Sequence, residues 1–186
     1  MKQEINKACH ILNEGGIILY PTDTIWGIGC DATNAAAVQR IFSLKRREET
    51  KSMIILVDNL AMIDHYVDGP SPKIQAYLSQ TNQPTTAIYN NAKNLPSNLV
   101  NQDGTIAIRI VHDTFCNQLI KQLGKPIVST SANISGEPYP KNFNTVSMPI
   151  KNGVDYIVQH RLNDLSAPNP SAIIRLNESG EIERLR

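Results

Sequence analysis

Apolar residues recur along the chain at two spacings, which predict alternating helices and strands. Apolar residues at helical spacing begin at Ile5 and stop before Gly15, since glycine favours the end of a helix. The same spacing predicts helices over 35–44, 60–66 and 72–80 and between Asp113 and Gly124. Apolar runs bounded by Gly, Pro and Asn predict strands over 17–20, 53–57, 85–90, 105–110, 126–130, 155–159, 171–176 and 181–186.

The order of these elements favours a single α/β domain over residues 1–186, with a twisted mixed sheet and flanking helices. No linker of Pro, Gly and Ser divides the chain, and no internal repeat is visible. The stretch that begins at Pro21 is expected to be a turn that contains Gly27 and Gly29. Residues 131–142 are expected to form a turn-rich loop, too long to serve only as a connection.

Composition narrows the possible functions. The 186 residues carry a net charge of +1, so the chain has no overall field for polyanions, although a local basic patch is compatible with it. Three dispersed cysteines and four scattered histidines favour neither a disulfide scaffold nor a metal site. The N-terminus has no signal-peptide core, and no run approaches the roughly 18 apolar residues of a membrane span. A cytoplasmic protein with no membrane association is expected.

The first candidate site follows the first predicted strand, in YPTDTIWGIG. Thr22 and Thr24 flank Asp23, and the glycines beyond them permit close approach of the backbone to a ligand. Hydroxyl groups and exposed backbone amides suit a small polar ligand, such as an amino acid or a phosphate. A Pro/Gly turn with local side-chain hydrogen bonds is the alternative.

The second candidate site is SLKRREETK, where Lys45, Arg47 and Lys51 crowd together at the end of a helix. A guanidinium fork and ammonium point charges suit a triphosphate, whereas a solvated helix end is the alternative. Lys45 and Arg47 point about 200° apart on a continuing helix, so they converge only if the helix ends near them. We therefore predict that the helix ends between Ser43 and Arg46, that Lys45 and Arg47 face one ligand, and that Arg46 points away.

The third candidate site is STSANISGEP, which follows a buried strand. Ser131 and Asn133 offer a hydroxyl and an amide with no neighbouring acid, base or thiol, which favours positioning of ligand oxygens over covalent attack. A cap for the next helix is an equally good interpretation. The chain contains no GxxxxGK[ST], no GxSxG and no GxGxxG after the first strand.

Taken in order, these segments resemble the YrdC-type family of threonylcarbamoyl-AMP synthases (TsaC), in its short form without an additional C-terminal domain. The matching stretches are YPTDTIWGIGCDA, LKRREETKSMIILV, RI, PIVSTSANISGEP and NPSAII. The KxR pair of the family falls on Lys45 and Arg47, and its SxN falls on Ser131 and Asn133. Two departures are visible: Glu48 stands where the family usually has proline, and NQPTT stands for its PGPxT segment.

The resemblance implies a deep, positively lined cavity in which L-threonine, bicarbonate and ATP give threonylcarbamoyl-AMP and pyrophosphate. A separate transferase complex then modifies tRNA. Mg²⁺ is carried on the ATP phosphates, with no metal ligand from protein side chains. The residues implied at the ATP are Lys45, Arg47, Lys51, Thr86, Ser131 and Asn133, and Lys45, Arg47, Ser131 and Asn133 of these are also implied in catalysis. The residues implied at the threonine are Thr22, Thr24, Arg109 and Ser171, with Arg109 at the carboxylate.

Two other functions remain open at this stage. The same fold without catalysis is a module that binds double-stranded RNA or tRNA, although a net charge of +1 predicts weak RNA affinity. A relative that uses a different carbamoyl source is the second alternative. Dependence of pyrophosphate formation on threonine separates the three.

Overall fold

The computed structural model describes residues 1–48, 53–166 and 169–186. Its helices are α1 (Lys2–Asn13), α2 (Ala35–Lys45), α3 (Leu60–Tyr66), α4 (Pro72–Gln80), α5 (Thr114–Leu123) and α6 (Met148–Gly153). Its strands are β1 (Ile18–Tyr20), β2 (Gly27–Gly29), β3 (Ile54–Val57), β4 (Thr85–Tyr89), β5 (Ile106–Ile110), β6 (Ile127–Ser131), β7 (Tyr156–Ile157), β8 (Ala172–Leu176) and β9 (Ile182–Arg184). A short 3-10 helix spans Phe143–Thr145.

The strands lie in one mixed sheet, in the order β7-β1-β2-β6-β3-β5-β4-β8-β9. The pairs β1–β7, β3–β5 and β4–β8 are parallel, and the other neighbours are antiparallel. The predicted α/β fold with a mixed sheet and flanking helices is confirmed. Among the described residues, no helix is long and apolar enough to cross a membrane.

The two faces of the sheet carry different layers. One face packs on α1 and α5 through Ile18, Tyr20 and Leu56. The opposite face contributes the larger apolar core, to which α2, α3, α4 and α6 all add buried residues. Successive residues of a strand point to opposite faces, so Ile54 shares the first face with Leu56. Ile54 also borders a cavity, which places that cavity on the same face as α1 and α5.

Local signals in the sequence define the helix ends. Asn34 caps α2 by accepting a hydrogen bond from the backbone amide of Ala37, and Asp113 caps α5 in the same way at Cys116. Helix α2 ends at Lys45, where Arg46 adopts a left-handed conformation with φ 49°. The predicted end between Ser43 and Arg46 is therefore confirmed.

Strand β2 and helix α6 lie in stretches that the sequence did not predict as regular elements. Strand β2 reads Gly27-Ile28-Gly29 and pairs with β1 on one side and β6 on the other. A Cβ atom at Gly29 would lie 2.5 Å from the carbonyl oxygen of Val128 and 2.7 Å from Cε1 of Tyr20. The glycine therefore permits close packing within the sheet, and the expected turn was wrong at this position.

Candidate active site

A cavity of about 360 Å³ opens on the sheet face that also packs on α1 and α5. Two registered rows of residues build its floor, because paired residues of neighbouring strands point to the same side. In one row Arg109 of β5 lies beside Thr86 of β4, which lies beside Ile173 of β8. In the other row, Ile54 of β3 lies between Ser129 and Ala107.

Loops complete the rim of the cavity. The rim residues are Thr24, Ile25, Arg47, Ser131, Tyr139, Pro170, Ser171 and Arg186. Among the described lining residues, Arg47, Arg109 and Arg186 carry positive charge and none is acidic. This lining suits an anionic or zwitterionic small molecule that brings carboxylate or phosphate oxygens.

Arg109 forms a buried ion pair with Asp23. Its Nη2 atom lies 2.9 Å from Oδ1 of Asp23, and the two side chains are 3% and 11% exposed. The contact lacks hydrogen-bond geometry: Arg109 Nε and both carboxylate oxygens have no hydrogen-bond partner among the described residues. A buried ion pair gives little net stability, because desolvation of the two charges offsets their attraction.

Two buried hydroxyl groups stand together in the cavity, where the floor meets the rim. The Oγ1 atom of Thr86 and the Oγ atom of Ser171 are 2.8 Å apart and form a hydrogen bond. Both residues are almost fully buried and both line the cavity. Each hydroxyl can accept or donate, so the pair can reorient to hydrogen-bond a polar group of a ligand.

Lys45 lies behind the loop that follows β6 and does not line the cavity. Its Nζ atom donates to the backbone carbonyls of Ser131, at 2.5 Å, and Asn133, at 2.6 Å. Its own carbonyl accepts from the amide of Ser135, at 2.8 Å. Only 1% of Lys45 is exposed. The prediction that Lys45 faces a ligand together with Arg47 was therefore wrong, and so is the alternative of a solvated helix end at Lys45, since the loop takes up its ammonium group.

The environment of Lys45 also changes its protonation. Burial, and to a lesser degree the nearby charge of Arg47, lower the pKa of Lys45 to about 7. Burial has this effect because a charged ammonium loses its hydration more unfavourably than a neutral amine.

Asn133 shapes the same loop instead of lining the cavity. Its Nδ2 atom donates to the carbonyls of Ile134, at 3.0 Å, and Glu137, at 2.6 Å. Ser131, two residues earlier, is half-buried and lines the cavity. Of the SxN pair, the serine is thus brought to the candidate site, while the asparagine differs from its expected place because its amide closes the turn.

Thr22 likewise stabilises its own loop. Its Oγ1 atom donates to the carbonyl of Ile25, at 2.8 Å, and accepts from the amide of Thr24, at 3.1 Å. Thr22 does not line the cavity, whereas Thr24 does. Thr24 and Ile25 form one wall of the cavity, and Trp26 fixes this wall. The ring of Trp26 packs on Phe143 at a centroid distance of 5.1 Å, and its carbonyl accepts a hydrogen bond from the amide of Ala132.

The turn at Arg46 separates the two arginines that follow α2. Arg46 is exposed, whereas Arg47 is half-buried and lines the cavity. This outcome agrees with the prediction for Arg47 and Arg46. Lys51, the third cation predicted here, lies outside the described residues.

Several lining residues were not among the predicted site residues. Ser129 was visible in a polar segment, and Tyr139 lies in the predicted loop 131–142. No motif in the sequence indicated Arg186, because it reaches the cavity only through the pairing of β8 with β9. Its Nε atom donates a hydrogen bond to the carbonyl of Ser171, at 3.0 Å. No cluster of three His, Cys, Asp or Glu residues that could hold a metal ion occurs in the described part of the chain.

The fold and the cavity define a class of α/β protein that holds a small anionic or zwitterionic molecule on one face of a mixed sheet. The chain belongs to the Sua5–YciO–YrdC family, whose model, described as "Telomere recombination", matches residues 10–186. A relative from Pseudoalteromonas translucida named threonylcarbamoyl-AMP synthase is 33% identical, over 89% of this chain and 90% of its own length. A relative of the same name from Coxiella burnetii is 32% identical, over 98% and 97%.

A solved structure supports the same fold. Sua5 from P. abyssi, in a crystal structure with L-threonine, superimposes with a TM-score of 0.88 at 24% identity. The match covers 100% of this chain and 54% of that one, so this chain corresponds to about half of the Sua5 structure. The family assigned from sequence is thus confirmed.

Proposed function

We propose that this chain joins L-threonine, bicarbonate and ATP into threonylcarbamoyl-AMP and pyrophosphate. The observation that carries the proposal is the similarity to relatives of that name over nearly the full chain. The arginine-lined cavity supports it, since all three substrates bring anionic oxygens.

The amino acid is placed on the floor of the cavity. The guanidinium of Arg109 is the group suited to its carboxylate, because Arg binds carboxylates through a planar fork of donors. Thr24 and the Thr86–Ser171 pair supply hydroxyl groups for the threonine side chain. One hydroxyl of the pair donates to the other, which leaves one buried O–H free to donate to a substrate hydroxyl. A substrate without a hydroxyl leaves that donor without an acceptor, which is costly.

The nucleotide is placed towards the rim. Arg47 and the hydroxyl of Ser131 are suited to the phosphates, and Mg²⁺ enters on those phosphates in this proposal. The amine of threonine and bicarbonate first give a carbamate with release of water, and an oxygen of the carbamate then attacks the α-phosphorus of ATP while pyrophosphate leaves. Such transfer needs alignment and charge neutralisation more than a protein nucleophile. Lys45 and Asn133 act indirectly, by holding the loop that presents Ser131.

The product contains a mixed anhydride, which reacts readily with nucleophiles. It must therefore be consumed by a transferase that delivers the threonylcarbamoyl group, and the proposal assigns this role to a separate complex acting on tRNA.

Pyrophosphate release tests the proposal. The purified chain is incubated with ATP and Mg²⁺, and threonine and bicarbonate are omitted one at a time. We expect release only with both present, and threonylcarbamoyl-AMP as the product by mass spectrometry. RNA binding without release would favour the non-catalytic module. Release that needs another carbamoyl donor would favour the second alternative.

A further inference from the structure

A free amino acid carries two opposite charges, and the described lining of the cavity matches only one of them. Arg47, Arg109 and Arg186 line the cavity and offer positive charge to the carboxylate. No described lining residue is acidic, so none offers negative charge to the ammonium group. An ammonium group brought into an arginine-lined cavity without a counter-ion is repelled, and it is also desolvated.

Asp23 is the carboxylate that lies against this cavity from behind. Its Oδ1 atom is 2.9 Å from Nη2 of Arg109, which lines the floor. Thr24 lines this cavity and also a smaller neighbouring pocket, and Asp23 lines only the smaller one. Asp23 therefore stands between the two, next to a residue of the cavity wall. Neither carboxylate oxygen has a hydrogen-bond partner among the described residues, although both are buried.

The two neighbours of Asp23 are held more firmly than its carboxylate. The hydroxyl of Thr22 is engaged with Ile25 and Thr24, and the carbonyl of Thr22 accepts from Nη2 of Arg161, at 2.8 Å. The backbone at Asp23 is therefore held by hydrogen bonds, while its carboxylate has, among the described residues, only the ion pair with Arg109.

We propose that the Asp23–Arg109 pair exchanges partners when the amino acid binds. The substrate carboxylate takes the guanidinium of Arg109, and the carboxylate of Asp23 takes the substrate ammonium. Asp23 is then the residue that selects an amino acid over an acid without an amino group. This inference rests on the proposed function, and it adds the group that recognises the amine.

Charge balance is the physical reason for the exchange. The free site contains one buried ion pair, and the occupied site contains two, so no charge is left unpaired at either stage. A 2-hydroxy acid of the same shape would take Arg109 from Asp23 and leave a buried carboxylate without a counter-ion. Such unpaired charges are strongly unfavourable. A ligand without the amino group therefore binds more weakly, because it leaves the carboxylate of Asp23 unpaired.

Calorimetric titration tests the exchange with two ligands, L-threonine and its 2-hydroxy analogue, 2,3-dihydroxybutanoate of matching configuration. We expect the wild type to bind threonine at least about tenfold more tightly than the analogue, the scale of one lost charged partner. In Asp23→Asn, the difference should fall below about threefold, chiefly because threonine binds more weakly.

Asp31→Asn is the matched control. Asp31 is also a buried carboxylate in an ion pair, with the partly exposed Lys125 at 2.6 Å, but it does not line the cavity. This variant should keep the preference of the wild type for threonine.

The outcomes separate the inference from the function beneath it. If Asp23→Asn keeps the tenfold preference, the exchange is wrong while the proposed function stands. Equal affinities of the wild type for the two ligands would overturn the exchange without any variant, even if Asp23→Asn does not fold. Failure of the wild type to bind threonine in the presence and absence of ATP would overturn the proposed function as well.

Discussion

The ammonium nitrogen of Lys45 lies 2.5 Å from the backbone carbonyl oxygen of Ser131. The side chain of Ser131 lines the cavity, so Lys45 fixes a site residue through its main chain. With the reciprocal hydrogen bond from Ser135 to the carbonyl of Lys45, the end of α2 and the loop after β6 are joined at three points.

Removal of the Lys45 ammonium should destabilise the fold. In Lys45→Met the carbonyls of Ser131 and Asn133 lose their donor, and we expect the free energy of unfolding to fall by about 2–4 kcal/mol, since a buried unpaired polar group costs about 1–3 kcal/mol. Urea denaturation followed by circular dichroism measures this. Arg46→Ala, next to Lys45 in sequence but exposed, is the control and should change stability by less than about 0.5 kcal/mol. Equal stability of the two variants would show that the hydrogen bonds of Lys45 to Ser131 and Asn133 do not stabilise the fold.

The depressed pKa of Lys45 predicts a pH dependence of stability. The pKa is about 7 in the folded chain and has the ordinary value of 10.5 when unfolded, so between these pH values the unfolded chain binds more protons at this group. Stability therefore rises with pH across that window, by up to about 1.4 kcal/mol per pH unit. The measurement is the unfolding free energy of wild type minus that of Lys45→Met at pH 7 and pH 9. A difference that stays constant between pH 7 and pH 9 would show that Lys45 keeps its ordinary pKa and stays charged in the folded chain.

Arg47 and Arg46 should differ sharply in catalysis. Arg47→Ala removes a cavity-lining charge. We expect kcat/KM for pyrophosphate release to fall, by an amount that corresponds to a loss of about 2–4 kcal/mol in transition-state stabilisation. Arg46→Ala should retain activity within about threefold, since Arg46 is exposed and outside the lining. Steady-state kinetics with ATP varied is the assay. A larger loss in Arg46→Ala than in Arg47→Ala would reverse the assignment.

The buried hydroxyl pair predicts discrimination against valine. Valine resembles threonine in shape but would leave the Thr86–Ser171 pair without a ligand hydroxyl, so it should be a poor substrate by at least about a hundredfold in kcat/KM, with serine intermediate. Ser171→Ala should narrow the ratio of threonine to valine by about tenfold. Competition between the two amino acids, read by mass spectrometry of the products, measures the ratio. Comparable turnover of valine and threonine by the wild type would exclude hydroxyl recognition.

Gly29 should be the least replaceable residue of β2. Gly29→Ala places a Cβ atom 2.5 Å from the carbonyl of Val128, and we expect a loss of about 3 kcal/mol or more in unfolding free energy, because overpacking forces backbone to move. Gly27→Ala meets its nearest atoms at 3.3 Å and should cost markedly less. Thermal denaturation of both variants compares them. Similar melting temperatures would mean that the sheet yields locally at Gly29.

The predictions from sequence succeeded where the cause is local. The end of α2, the cap at Asn34 and the opposite placement of Arg46 and Arg47 all follow from residues within a few positions of one another. The position of Lys45 depends on carbonyl groups 86 and 88 residues away, so helical geometry alone could not give it.

Other parts of the site also depend on tertiary pairing. Thr86 and Ser171 are 85 residues apart and meet because β4 and β8 are parallel neighbours, an order that the strand patterns do not specify. Strand β2 was missed because glycine has low strand propensity, and its conformation comes from the two strands that flank it. The sequence placed Asn133 in the correct loop. It could not show that the side-chain amide of Asn133 hydrogen-bonds carbonyls of its own turn instead of a ligand, because that depends on the conformation of the folded loop.

Trp26 is the single tryptophan of the sequence, and it is anchored in the same wall as Thr24. Trp26 is 6% exposed and its indole packs on Phe143, so its emission reports from an apolar environment beside the cavity, which both of its sequence neighbours line. Intrinsic fluorescence therefore comes from one known place in the molecule. The fluorescence of Trp26 can therefore be measured during ligand titrations to detect changes in the cavity wall, with no label attached and no residue replaced.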